Sequence, residues 1–244
     1  LVRPSNIVCF RARNRGRAAM RAPISVVIPT LNAQAGLPDC LMSLGEGLQA
    51  GLIRELVISD GGSQDETLKI AEAAGAVLVE GTPSRGGQLR RGAHVAQGTW
   101  FLFLHADTTL SPGWSDVVLD HLQQDTAGYF RLRFDGGGLP GWIVAGWANI
   151  RSRLFGLPFG DQGLLVPRDL YDAVGGFRDI PLMEDVTLAR VLKGKLVGLN
   201  AIAATSPERY HREGWINRSM KNAKLQMRFF LGGDPGELMK SYRK

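Results

Sequence analysis

A chain of 244 residues with 44% hydrophobic and 21% charged residues can bury a sizeable core as one large domain or two small ones, without disulfides or a structural metal. The net charge of +6 invites a nucleic-acid partner, but Arg3, Arg11, Arg13, Arg15 and Arg17 lie in an acid-free stretch. Without them the balance falls to about +1, too little for an electrostatic footprint on nucleic acid. Only Cys9 and Cys40 are present, without metal-ligand spacing, and no apolar run approaches the ~18 residues of a membrane span. A soluble protein of a reducing, cytoplasmic setting is expected, in contact at most with the inner membrane surface.

Residues 1–22 read as a basic tail outside the fold. The stretch is Arg-rich and acid-free like a transit peptide, but it is Ser-poor and lacks the apolar run of a secretory signal. Met20 stands just before the first strand, so residues 1–19 read as upstream sequence or a disordered arm. From there, short β-branched runs alternate with helical patterns: strand 24–28, helix 37–48, strand 56–59, helix 66–74, strand 77–79, helix 88–96, strand 100–104. Such alternation predicts crossover units and a mostly parallel sheet with helices on both faces, whose ligands bind at the strands' carboxyl ends. After Pro112 the pattern becomes mixed, with a helix at 114–123, a strand at 129–134, a glycine-rich turn at 135–140 and a strand at 163–166. A helix at 185–192, a strand at 196–199 and a long helix at 215–230 follow. One domain spanning 23–244 is expected, divided near residue 110 into two halves.

Five places on this scaffold carry candidate chemistry. The first strand ends in Pro29-Thr30-Leu31-Asn32 and the second in Ser59-Asp60-Gly61-Gly62-Ser63, where an Asp can accept hydrogen bonds from a base imide or ribose hydroxyl. Asp60 could equally begin a turn, and Asp65 reads as a helix cap. Ser84-Arg85-Gly86-Gly87-Gln88 is a glycine-rich turn opening a basic helix, whose amides and Arg85 could face phosphate oxygens. It has neither a P-loop's Gly-Lys-Ser/Thr ending nor Rossmann glycine spacing, which weakens NTPase and dehydrogenase readings. The strand at 100–104 delivers His105-Ala106-Asp107 to the same rim, and a single carboxylate with substrate phosphates can hold Mg²⁺ or Mn²⁺. Met183-Glu184-Asp185 opens a helix, where acids gain about 0.3–1 kcal/mol from the dipole or, near an acceptor hydroxyl, can take its proton.

Taken in order, Ser25 to Asn32, Asp60-Gly61-Gly62-Ser63, His105-Ala106-Asp107, Phe159-Gly160-Asp161-Gln162-Gly163, Gly175-Gly176-Phe177 and Met183-Glu184-Asp185 resemble glycosyltransferase family 2, whose members have the GT-A fold. Each motif is weak alone, and six in order are not. The chain is similar within that family to a bacterial subgroup associated with arsenosugar biosynthesis, through Glu208-Arg209-Tyr210-His211-Arg212 and the residues after it. The resemblance implies nucleotide-sugar binding by Pro29, Asn32, Asp60, Arg85, Gln88, Asp107 and Arg209. It also implies a divalent metal, Mn²⁺ or Mg²⁺, at Asp107, general-base catalysis by Asp185, and an acceptor side lined by Asp161, Gln162 and Glu184. His105 departs from the family's usual Asp-X-Asp, which leaves the metal to Asp107 and the diphosphate.

The expected activity is inverting transfer of a sugar from a nucleoside-diphosphate sugar to an acceptor hydroxyl. A nucleotidyltransferase is the enzymatic rival, but its glycine-rich basic loop after the first strand is missing. A non-catalytic nucleotide- or glycan-binding module is the other. Residues 139–157, with Trp142, Trp147, Phe155, Arg151 and Arg153, suit either peripheral membrane contact or a core-packed helix.

Overall fold

Alternation along the early strands sorts their apolar side chains onto two faces of one sheet. The computed structural model describes residues 22–243, so the basic tail and the question of Met20 lie outside the described residues. In β1 (Ile24–Thr30), Ile24, Val26 and Ile28 enter one buried cluster and Val27 another. β2 (Ile53–Asp60) sets Leu56 and Ile58 against Val57 in the same way, and β4 (Trp100–Phe103) sets Trp100 and Leu102 against Phe101 and Phe103. Because both faces are apolar, both need helices to cover them. The first is closed by α1 (Leu37–Ser43), α3 (Thr67–Ala73) and α5 (Trp114–His121), the second by α4 (Arg85–Val95), α7 (Arg168–Ala173) and α8 (Glu184–Val191). The expected helix at 37–48 is two pieces, α1 followed by α2 (Gly45–Gln49).

With β3 (Val77–Glu80), β5 (Thr108–Leu110), β6 (Ala127–Phe134), β7 (Leu164–Pro167) and β8 (Leu196–Thr205), the eight strands lie in the order β3-β2-β1-β4-β7-β6-β8-β5. The first four are parallel. β7 is antiparallel to both β4 and β6, while β6 and β8 are parallel. This arrangement builds the site. The carboxyl ends of β1, β2, β4, β6 and β8 share one rim, and pairing of Phe103 with Leu164 sets the start of β7 beside the end of β4. The 3-10 turn Gly160–Gln162 just before β7 is thereby placed next to His105.

Several features differ from the sequence pattern, among them the short helices α7, α9 (Glu208–Glu213) and α11 (Pro235–Arg243). β8 runs on to Thr205, six residues past its expected end, because β6 pairs with it on one side and β5 on the other. The short β5 was not expected, since three residues carry no periodicity. The segment read as a turn at 135–140 instead opens α6 (Gly138–Phe155): Gly136 and Gly138 take φ of +71° and +56°, and Pro140 sits in the first helical turn, where its missing N–H costs nothing. α10 (Trp215–Phe230) matches its expected span, flanked by α9 and α11.

Candidate active site

Along the rim runs a cleft of about 920 Å³, lined on one wall by Pro29, Asn32, Arg85, Gln88 and Asp107 and on the other by Asp161, Glu184, Asp185 and Arg209. The nucleotide wall is knitted loop to loop. Asn32, in the left-handed region at φ +51°, donates its N–H to Ser63 Oγ (2.8 Å) and accepts from Gln64 N (2.9 Å). Asp60 does not line the cleft. Its Oδ1 accepts from Thr30 and Ser63 hydroxyls and its Oδ2 from Gly62 and Ser63 amides, at 2.6–2.7 Å. Burial pushes this carboxyl up, but the Ser63, Thr30 and Gly62 bonds outweigh it and hold it below the usual range. Asp60 is therefore a loop organiser whose four acceptor positions are already filled.

Gln88 also works internally, donating from Nε2 to Thr30 O (2.7 Å) and Ser59 O (2.9 Å) and so pinning the ends of β1 and β2 together. The glycines before it have a different purpose from the one the sequence suggested. Gly86 N donates to Ile180 O and Gly87 N to Ser84 Oγ, and a Cβ on Gly86 would stand 2.0 Å from Arg178 O. Gly86 and Gly87 let the start of α4 dock against residues 178–180, and their amides go to Ile180 O and to the Ser84 cap rather than to phosphate. Arg85 alone of this turn projects a charge into the cleft, with Nε 3.6 Å from Glu184 Oε1.

On the opposite wall, Asp185 accepts from Gly160 N through Oδ2 and from Val186 N through Oδ1, both at 2.7 Å, which fixes its carboxylate while leaving acceptor capacity on each oxygen. Met183, at φ +67°, turns the chain so that Glu184 and Asp185 open α8 at the rim. Gly160 is required by close approach, because a Cβ there would lie 2.6 Å from His105 Nε2. Burial, together with Asp185, pushes Glu184 up to about 8 against the pull of Arg85. Burial likewise raises Asp161 to about 6 against Arg151, with Asp185 and Asp107 adding to the shift. For His105, burial and the charges of Arg85 and Arg209 act together and hold the imidazole neutral, well below its usual value. Perturbed carboxylates gathered in a cleft make it the candidate functional centre.

Gln162 does not line the cleft. It is fully buried, its Oε1 accepting from Ser152 Oγ (2.6 Å) and its Nε2 donating to Phe130 O (3.2 Å), so it supports the turn carrying Asp161. Arg212 and His211 are exposed and lie off the cleft, whereas Arg209 reaches it and donates to Tyr242 Oη (3.0 Å). Sequence reasoning missed Asp39, Asn222 and Tyr242, which line the cleft. It also left Arg151, with the aromatics of residues 139–157, open between membrane contact and a core-packed helix. Arg151 turns inward, 3.3 Å above the Phe159 ring, with Nη2 unpartnered. Nothing local in the sequence signals these contacts.

Comparison with known proteins fits this architecture. A 99-residue stretch is 41% identical to a PGL/p-HBAD biosynthesis glycosyltransferase of Mycobacterium bovis, spanning 37% of this chain and 38% of that relative. Among solved structures, S. aureus TarS in complex with UDP aligns over 78% of this chain and 62% of its own, with a TM-score of 0.58 and 16% identity. Glucosyl-3-phosphoglycerate synthase from Mycobacterium tuberculosis, in complex with Mn²⁺, UDP and glucosyl-3-phosphoglycerate, aligns over 75% of this chain and 70% of its own, with a TM-score of 0.54 and 20% identity. The shared architecture is the GT-A fold. The relatives support the family and not the narrower arsenosugar-associated subgroup. Residues 25–177 match the family described as Glycosyl transferase family 2, and the chain belongs to that family of glycosyltransferases.

Proposed function

We propose that the chain moves a sugar from a uridine-diphosphate sugar to an acceptor hydroxyl with inversion at the anomeric carbon, using Asp185 as base. The observation that carries this is Asp185 itself, a carboxylate held by two backbone amides on the cleft wall facing the ends of β1 and β4. The choice of uracil follows from the UDP bound to both solved neighbours.

In the proposed step Asp185 takes the acceptor proton while the acceptor oxygen attacks the anomeric carbon, and the bonding pair leaves with the diphosphate. Pro29 and Asn32 flank the nucleoside, with Asp60 and Gln88 holding their loops in place. Arg85 and Arg209 bring positive charge to the phosphates, and Asp161 with Glu184 faces the acceptor. Neutral His105 offers a donor or acceptor without adding charge. A divalent cation suits Asp107 on donor chemistry, because Asp107 is an exposed hard-oxygen group at the rim; among the described residues no group of three or more acidic, His or Cys side chains gathers to hold a metal, so the protein would supply few of the ligands. One carboxylate and the diphosphate would hold the ion, which would neutralise charge on the leaving group.

The deciding experiment follows the anomeric proton by NMR as a UDP-sugar donor is consumed with simple alcohol acceptors. An inverted product is expected, and a retained configuration would sink the single-displacement mechanism.

A further inference from the structure

The geometry points to the outer faces of α6 and α10 as a docking surface for an anionic lipid bilayer. α6 is built the wrong way round for a core helix. Its buried side consists of Gly141, Ala145, Ala148 and Ser152, whereas Leu139, Trp142, Ile143, Trp147, Ile150 and Leu154 lie on the opposite side and are 51–74% exposed. A core-packed helix turns its large apolar residues inward, and isolated exposed residues do not line up at helical spacing. α10 repeats the pattern. Arg218 and Leu225 face the cleft, while Ile216, Met220 and Met227, with Leu231 just beyond the helix, are 64–82% exposed on the other side. The two helices are neighbours, since Trp215 at the start of α10 packs against Gly137 and Gly141 at the start of α6.

Charge selects the occupant. Neither helix contains an Asp or Glu, and exposed Arg153, Lys224 and Arg228 stand among or beside the apolar residues. Tryptophan and aliphatic residues on one face with cations beside them are the pattern of a helix lying in an anionic interface, where rings enter the headgroup layer and cations meet lipid phosphates. Among the described residues no helix is long and apolar enough to cross a membrane, so the contact lies on the bilayer surface. α10 then stands between bilayer and cleft.

Co-sedimentation with phosphatidylcholine vesicles, with and without phosphatidylglycerol, tests this without any sugar donor and so independently of the catalytic proposal. Binding is expected on the anionic vesicles only, weakening with salt, and brominated lipid should quench tryptophan emission. Trp142→Ser/Trp147→Ser should lower partitioning roughly tenfold or more. Lys224→Glu/Arg228→Glu should lower it on anionic vesicles with the apolar face intact, and circular dichroism melts verify that each variant is folded. Equal binding to both vesicle types, no binding to either, or unchanged binding in both variants would overturn the proposal. So would light scattering that shows a lipid-free dimer which the tryptophan variant dissociates, because a second copy would then cover this face.

Discussion

Asp185 and Glu184 are sequence neighbours with opposite surroundings. Asp185 meets two backbone N–H donors and the cleft, and as the proposed base its replacement by Asn should cut transfer about 10²–10⁴-fold while UDP binding persists, as single-turnover kinetics and calorimetry would show. Glu184 is 1% exposed, with Oε1 lacking a hydrogen bond. Its folded value of about 8 lies above the ordinary 4.5, so the folded chain keeps a proton that the unfolded chain has lost. The resulting stability is full below about 4.5 and is lost as pH rises through 8. Melting curves of Glu184→Gln should therefore show less decline than the parent between these limits; parallel curves would mean that Glu184 is charged throughout. Both acids were legible in the sequence as candidates. The resemblance already implied a base in Asp185 and an acceptor-side group in Glu184, but the contrast in their surroundings was not legible, because it depends on Gly160 and Arg85, which arrive from distant segments.

At the scale of elements, loops are held by cross-links between strand ends. Gln88 reaches from α4 to carbonyls of both β1 and β2, so Gln88→Leu leaves two buried acceptors without their donor. A loss of about 1–3 kcal/mol in urea unfolding is expected, along with weaker donor binding as the two loops loosen. A stable variant with only a binding defect would instead indicate direct nucleotide contact. All strands but the short β5, and most helices, could be read from period-2 and period-3.6 patterns. The glycines of α4 and of the 135–140 segment were misjudged because glycine records a close approach or an unusual φ without naming the partner. At Gly86 that partner is Arg178, about ninety residues away in the chain.

For the whole molecule, the cleft joins the two halves of one sheet, and ligand binding should therefore stabilise the folded chain as a unit. UDP at about one hundred times its dissociation constant should add ~2.7 kcal/mol, seen as a rise in melting temperature. Mn²⁺ should enlarge the rise in the parent but not in Asp107→Ala, and GDP, ADP or CDP should do less. No response to any nucleotide would count against the donor half of the proposal.

Motif order, strand periodicity and the ends of the first strands are properties of the chain itself, so the α/β class, the family and the rim bearing Asp107 could be derived from it alone, whereas Asp185 stood there only as the start of a helix with a role implied by the resemblance. Which candidates face the cleft depended on contacts made after folding. Asp60 and Gln162 resemble ligand-binding groups in sequence, yet each has its hydrogen-bonding capacity filled by partners at positions 30, 62 and 63 or 130, 149, 152 and 159. Conversely, the outward aromatic face of α6 was ambiguous until packing put its small residues inside. A polar side chain can satisfy itself within the protein or at a ligand, and an apolar one can bury against the core or a partner; only the tertiary structure chooses, because the competing partners are brought together by folding.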